Sequence, residues 1–450
     1  MTKLSEFAED IVGLVGKMGG TVCDVLVVDS RVASAEVEKS SIKQAEHVAD
    51  PGVAIRVFHN GSSGFVYCTS HEIGDLQKAA ELAVSQARAG TADEDFKGLP
   101  EPTRHVVIED IYDSRLAALE PETAVDMLIA LVNEASDDER ITSVNAGLTA
   151  SVEEVALANS NGIVDCQKIT YFDVFAEAVA RSGDSMFSGL DYASSRRMDV
   201  NSPVIVGGSA KQHAIDGLSH AKMQTGDYPV VLDPLAAGYI LASALGGGVN
   251  AENIQRKRSY LVDKLGTEIG SEILSVYDDP TLQWGLGSTS FDGEGVAARK
   301  KTVVERGELK TYLFDSYTAG KDSVENTGNS SRGGGTWSYT DPPGISFSNM
   351  VVERGDASLE EMIEECGRGV YLRITFDSPN LATGEFSGLM MEGYTIENGE
   401  TGPSIRQSTM GINLLDMFSR IDIAGSKSRN AFGVETPALR ISHARIGGSE

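Results

Sequence analysis

Few residues in this chain are of types that carry out chemistry, and none falls into a complete catalytic pattern. The seven histidines are His47, His59, His71, His105, His213, His220 and His443. A zinc-protease helix presents two imidazoles on one face, with a glutamate beside the first to activate water. His71-Glu72 supplies the first half, but Asp75 and Leu76 stand where a second ligand would arrive. The pair therefore reads as a surface histidine at a helix start. His213 and His220 fall on a stretch read as helical and would share a face, yet two turns hold them about 10 Å apart, too far for one ion. The cysteines Cys23, Cys68, Cys166 and Cys366 are scattered without a CxxC pair. That excludes a thiolate knuckle within a short segment and fits a reducing compartment.

Nucleophilic chemistry is equally sparse. There is no GxSxG elbow. The segment TGNSSRGGGTW, Thr327 to Trp337, is rich in Gly and Ser, and its backbone N–H groups could cradle an anion or pair with an extended peptide. It is not a phosphate loop, because Gly320-Lys321 is followed by Asp322. Gly246-Gly247-Gly248 follows a predicted helix and is expected to stop it.

The elements that must position these residues can be read in order. Short β-like runs cover DVLVV, VASAEVEKS, VAIRVFHN and GFVYCTS, between Asp24 and Ser70, and a helix is expected over about Glu72–Ala89. A second helix opens at Pro121 and runs to about Ala135. Strands resume near Ser143 and continue to about Ala180, with a turn at Asn161-Gly162. Periodicity is lost from Arg181 to Pro203, where a domain boundary is expected, followed by a helix over about Ser209–Lys222. Beyond it the pattern is mostly β, with hairpin signals at Arg306-Gly307 and Asn398-Gly399, and one helix opened by a capping box at Ser358 and Glu361. The fold class expected is α+β with two domains. Residues 1–200 form a mixed sheet packed by helices, and residues 201–450 a largely antiparallel, barrel-like β domain.

Composition narrows the function. In 450 residues, 66 acidic side chains outnumber 38 basic ones, a formal charge of −28 that disfavours a phosphate backbone as partner. No segment reads as membrane-spanning and the amino terminus lacks a signal-peptide pattern, so a cytoplasmic location is expected.

Several blocks of the C-terminal half resemble the TldD/PmbA family, once called modulators of DNA gyrase. They are NAENIQRKRSYLVDKLGTEIGSE (Asn250–Glu272), LGSTSFDGEGVAARKKTVVERGELKTYLFDSYTAGK (Leu286–Lys321), ENTGNSSRGG (Glu325–Gly334) and GEFSGLMMEGYTIENGE (Gly384–Glu400), with a tail containing IDIAGSKSRN and TPALRISHARIGG. The resemblance is firm from Tyr228 onward. It implies one of two kinds of subunit. The TldD-like kind carries an HExxxH zinc helix and a later cysteine ligand, and cleaves small or unfolded polypeptides. The PmbA-like kind, also called TldE, lacks these ligands and pairs with the first.

Here the helix aligns as LDPLAAGYILASALGGGV, with Ala242 and Gly247 at the two histidine positions and Ser243 at the glutamate position. Ala and Gly offer zinc no lone pair, and Ser is too weak a base to activate water. Gly425 to Pro437 contains no cysteine, and no histidine lies between His220 and His443. The resemblance thus implies a chain without zinc of its own, partnered by a zinc-bearing TldD-like subunit and handling peptide substrates. Asp292, Glu294, Gly295, Thr327, Gly328 and Asn329 are its candidates for substrate contact or assembly. Two other readings stand beside it: a homo-oligomer, such as a homodimer, that binds peptides or another ligand, and a metal-independent hydrolase using the Thr327–Gly335 loop.

Overall fold

The computed structural model describes residues 2–104, 106–198, 203–333 and 336–448. His105, Gly334 and Gly335 of the Gly/Ser-rich loop, and the expected boundary between residues 200 and 201, lie outside the described residues.

The first sheet is built from β1 (Val22–Glu38), β2 (Ser41–His59), β3 (Ser62–Cys68), β4 (Ile141–Asn159), β5 (Val164–Ser182) and β6 (Ser185–Ser195). Its order is β3-β2-β1-β4-β5-β6 and every neighbouring pair is antiparallel. The expectation of a mixed sheet is corrected. Each half is a meander closed by tight turns, such as Asn60-Gly61 with φ of 51° and 79°, and such hairpins admit only antiparallel neighbours. DVLVV and VASAEVEKS, read as separate strands, are one continuous strand, β1.

Strands this long, about 60 Å at ~3.4 Å per residue, offer one face to two groups of helices side by side. At one end α1 (Lys3–Lys17) and α2 (Ile73–Ala89) bury Ile11, Leu76 and Ala83 against Val25 and Ile55. At the other, α3 (Ser114–Ala117), α4 (Pro121–Ala135) and α5 (Pro203–Asp216) cover Val37, Val144 and Phe172. Val25, Val27, Ala35 and Val37 share parity and so share this face. Leu26 and Val28 point the other way and pack against Phe291 and Tyr339 of the C-terminal half.

Two expectations change here. The aperiodic stretch after Arg181 contains β6, and α5 starts at Pro203 and packs on β5 and β6. Gly189, which breaks the strand pattern, is required there: a Cβ would sit 2.1 Å from the Ala214 backbone nitrogen.

After β7 (His220–Ala221) and β8 (Gly226–Leu232) the chain enters a 13-stranded sheet that curls into a half-barrel. Most pairs are antiparallel, while β8 runs parallel to Arg368–Ile374 and β7 to Glu400–Ile405. His220 therefore stands on a strand, not on the helix carrying His213, and the two do not share a helical face. The hairpins form where expected, with φ of 47° and 82° at Arg306-Gly307 and of 55° and 80° at Asn398-Gly399.

The apolar helix α6 (Pro234–Gly248) is capped by Asp233, whose side chain accepts from the Leu235 amide. The three glycines expected to stop this helix form its last turn instead, and Val249 caps it. The Ser358 capping box is present, Ser358 Oγ accepting from the Glu361 amide at 3.1 Å. Ser358→Ala is expected to lower stability by about 1 kcal/mol, read as a denaturation midpoint shifted at constant slope. Among the described residues no helix is long and apolar enough to cross a membrane.

Candidate functional site

The helix-free face of the first sheet and the half-barrel enclose a cavity of about 630 Å³. Strand periodicity builds one wall. Tyr171, Asp173 and Phe175 alternate along β5 onto one face, and Tyr192 and Ser194 of β6 stand opposite Phe175 and Asp173. The other wall comes from α6 through Ala242 and Gly246, and from the loops carrying Asp292, Gly328 to Gly333, Trp337, Phe347, Phe376 and Phe432. Cavities where two packed units meet are common ligand sites.

The degenerate helix positions divide. Ala242 faces the cavity. Ser243 Oγ lies 3.4 Å from Ser378 Oγ. Gly247 is turned toward the Leu381 side chain, whose Cδ1 would lie 2.3 Å from an added Cβ and would have to swing aside for any larger residue. Among the described residues no three His, Cys, Asp or Glu side chains group as metal ligands would. The residues on α6 do not fit zinc.

The six candidate contact residues also divide. Asp292, Gly328 and Asn329 line the cavity; Glu294, Gly295 and Thr327 do not. Asp292 closes its own turn, Oδ1 accepting from the Glu294 and Val296 amides and Oδ2 from the Ser330 amide. Burial, and then the nearby Glu294 carboxylate, push its carboxyl above the usual range. Asn329 donates to Asp278 Oδ2 at 2.6 Å and accepts from Lys301 at 2.9 Å. Thr327 Oγ1 accepts from the Phe314 amide and donates to the Phe314 carbonyl, a clamp that occupies its hydroxyl. Gly295, with φ of 84°, turns the chain against Leu157 and Ile163.

Glu294 belongs to a buried ion network that ties the two halves together. Arg56 of β2 reaches Asp24 of β1 at 2.6 Å and Glu294 at 2.8 Å, and Arg332 reaches the other Asp24 oxygen at 2.7 Å. A second network joins β6 to the half-barrel: Asp191 holds Arg429 at 2.6 Å and Arg373 at 3.5 Å, and Arg373 also pairs with Glu392. His213 sits beside this network. Burial, and then the Arg373 charge, lower its pKa to about 3, which keeps it neutral.

No His, Cys or Lys is among the described residues lining the cavity. Ser330 Oγ is buried without a hydrogen-bond partner, and Ser331 Oγ donates to the Gly333 carbonyl. The loop thus places hydroxyls at the cavity with no imidazole to activate them. Sequence reasoning missed the β5–β6 wall and Arg196. Its signal was the alternation Tyr171-Asp173-Phe175 in TYFDVF, which says that these residues share a face but not what that face meets.

Glu153 lies behind the loop, its Oε2 accepting from the Trp337 amide at 2.9 Å. Burial raises its pKa to about 7. Folding therefore favours the protonated form. That contribution is complete below the unfolded value of roughly 4.3 and is lost as pH rises through about 7. Glu153→Gln is expected to remove this dependence, leaving the variant more stable than the parent at pH 8 by ~1–3 kcal/mol and equal to it near pH 4, in denaturant titrations at both pH values.

The fold and site together define an α+β protein whose two large sheets meet at a cavity of about 630 Å³ beside α6. The family models that match are the PmbA/TldA metallopeptidase domain 1 over residues 23–87, the central domain over 114–218 and the C-terminal domain over 225–448. The chain belongs to the PmbA/TldD family of metallopeptidases. It is 25% identical to the metalloprotease PmbA homolog of Buchnera aphidicola, covering 92% of this chain and 91% of that one. It is 26% identical to the metalloprotease TldD homolog of the same organism, covering 92% and 90%. Overall identity therefore does not separate the two kinds of relative. The crystal structure of TldE from Thermococcus kodakarensis shares the fold, with a TM-score of 0.90 at 24% identity over 98% of this chain and all of that one.

Proposed function

We propose that this chain is the zinc-less, PmbA/TldE-like subunit of a peptidase complex, paired with a TldD-like subunit that carries the zinc. The observation that carries the reading is α6. By the sequence alignment it stands where the family's zinc helix does, it faces the cavity through Ala242, and Ala242, Ser243 and Gly247 supply neither ligand nor base. Here all three donors are gone, and what remains is an aromatic-walled chamber able to hold peptide.

Mixing the purified chain with a TldD-like subunit from the same cell is expected to give a joint peak in size-exclusion chromatography. Separate elution of the two at micromolar concentration would overturn the pairing.

A further inference from the structure

Among the described residues, one buried cation of the cavity, Arg196, has no carboxylate within ion-pair distance. Arg196 is 2% exposed and lines the cavity. Its guanidinium donates to the carbonyl oxygens of Thr170 at 3.2 Å, Gly285 at 3.4 Å and Leu286. These acceptors are neutral and use three of its five N–H groups. Glu153 acts on it only through its field, being engaged by the Trp337 amide. The other deeply buried arginines differ: Arg56, Arg332 and Arg373 each have a carboxylate within ion-pair distance. Buried cations are ordinarily paired, and an arginine fork suits a carboxylate.

Two further features of the same cavity say what that carboxylate is attached to. Trp337, Phe347, Phe376 and Phe432 give it an aromatic wall, with the Phe376 and Phe432 rings edge-on at 6.0 Å and 38–39% exposed. Asp173 stands on the β5 wall beside Tyr171, its Oδ2 accepting from Ser194 Oγ at 2.6 Å. A purely anionic ligand would be repelled by Asp173. A ligand with both a carboxylate and N–H donors satisfies both ends.

We propose that the cavity binds the C-terminal end of a short peptide, its carboxylate at Arg196, its apolar or aromatic side chain on the Phe376–Phe432 wall and an N–H toward Asp173. The proposal deepens the preceding reading and rests on it for the source of the peptides. Its test uses this chain alone.

Titration calorimetry of the full chain with glycyl-glycyl-phenylalanine, its C-terminal amide and N-acetylphenylalanine provides that test. The free tripeptide is expected to bind, and amidation to weaken binding at least about tenfold. Arg196→Gln is expected to erase the preference for the free acid. Phe376→Ala, at an exposed ring whose loss does not threaten folding, is expected to weaken both tripeptides about threefold or more while keeping that preference. An amide that binds as tightly as the acid, or no binding of the tripeptide, would overturn the proposal. Equal binding of N-acetylphenylalanine would overturn the assignment to a peptide. A chain that binds the tripeptide yet never joins a zinc subunit would sink the pairing alone, and the converse would sink only this inference.

Discussion

Arg56→Ala is expected to destabilise the protein by roughly 3–5 kcal/mol. The reason lies in what it leaves behind. Arg56 bridges Asp24 and Glu294, which are 1% and 3% exposed. Removing the guanidinium strands two buried carboxylates with only Arg332 to share between them. Because Asp24 and Arg56 belong to the first sheet and Glu294 and Arg332 to the C-terminal half, the damage falls on the junction. Denaturation followed by tryptophan fluorescence and by circular dichroism is expected to shift to lower denaturant and to separate into two transitions. A cost below 1 kcal/mol would show that water enters the junction and solvates the acids. The charge-preserving Arg56→Lys, which loses the fork but keeps the cation, is expected to fall between.

Restoring the missing ligands is expected to fail. With Ala242→His, Ser243→Glu and Gly247→His together, the chain would carry the full helix motif, yet no cysteine stands between Gly425 and Pro437 and an imidazole at 247 has to displace the Leu381 side chain. The Gly247 Cβ direction meets Leu381 at 2.3 Å and 3.1 Å. Displacing it costs at most about 1–3 kcal/mol, and Gly247→His alone is expected to show this as a lowered denaturation midpoint. Metal analysis of the triple variant is expected to give far less than one zinc per chain. Adding Leu381→Ala should relieve the stability loss first. Stoichiometric zinc in the triple variant with Leu381 intact would mean that α6 remains a metal helix in all but sequence.

Local features were legible in the sequence, and long-range ones were not. The helix from Pro121 to Ala135 and the hairpins at Arg306-Gly307 and Asn398-Gly399 appear where proline, periodicity and turn chemistry put them, because those signals act within a few residues. The merging of two runs into β1 was missed because Asp29-Ser30-Arg31, polar and turn-like in sequence, stay paired on both sides inside the strand, whereas the true turn, Lys39-Ser40, takes φ of 49° and 61° without glycine or asparagine to announce it. β6 and α5 were blurred by Gly189 and Gly207, each set where a neighbouring backbone comes within 2.6 Å of a Cβ position. The site was harder still. The strings around Asp292 and Asn329 stood out, but sequence could not tell the cavity-lining Asp292 from Glu294, two residues on, which points into the junction. Arg196 carried no motif. Only the packing of one sheet on the other makes it a buried, unpaired charge.

On the proposed function, this chain lacks zinc and contributes to peptide cleavage through a zinc-bearing partner. Metal content and peptidase activity, measured on the chain alone and after adding a TldD-like subunit from the same cell, test it most directly. No stoichiometric zinc and no cleavage are expected of the chain alone, with chelator-sensitive cleavage in the mixture that exceeds that of the TldD-like subunit by itself. Stoichiometric zinc together with cleavage by the chain alone would contradict it.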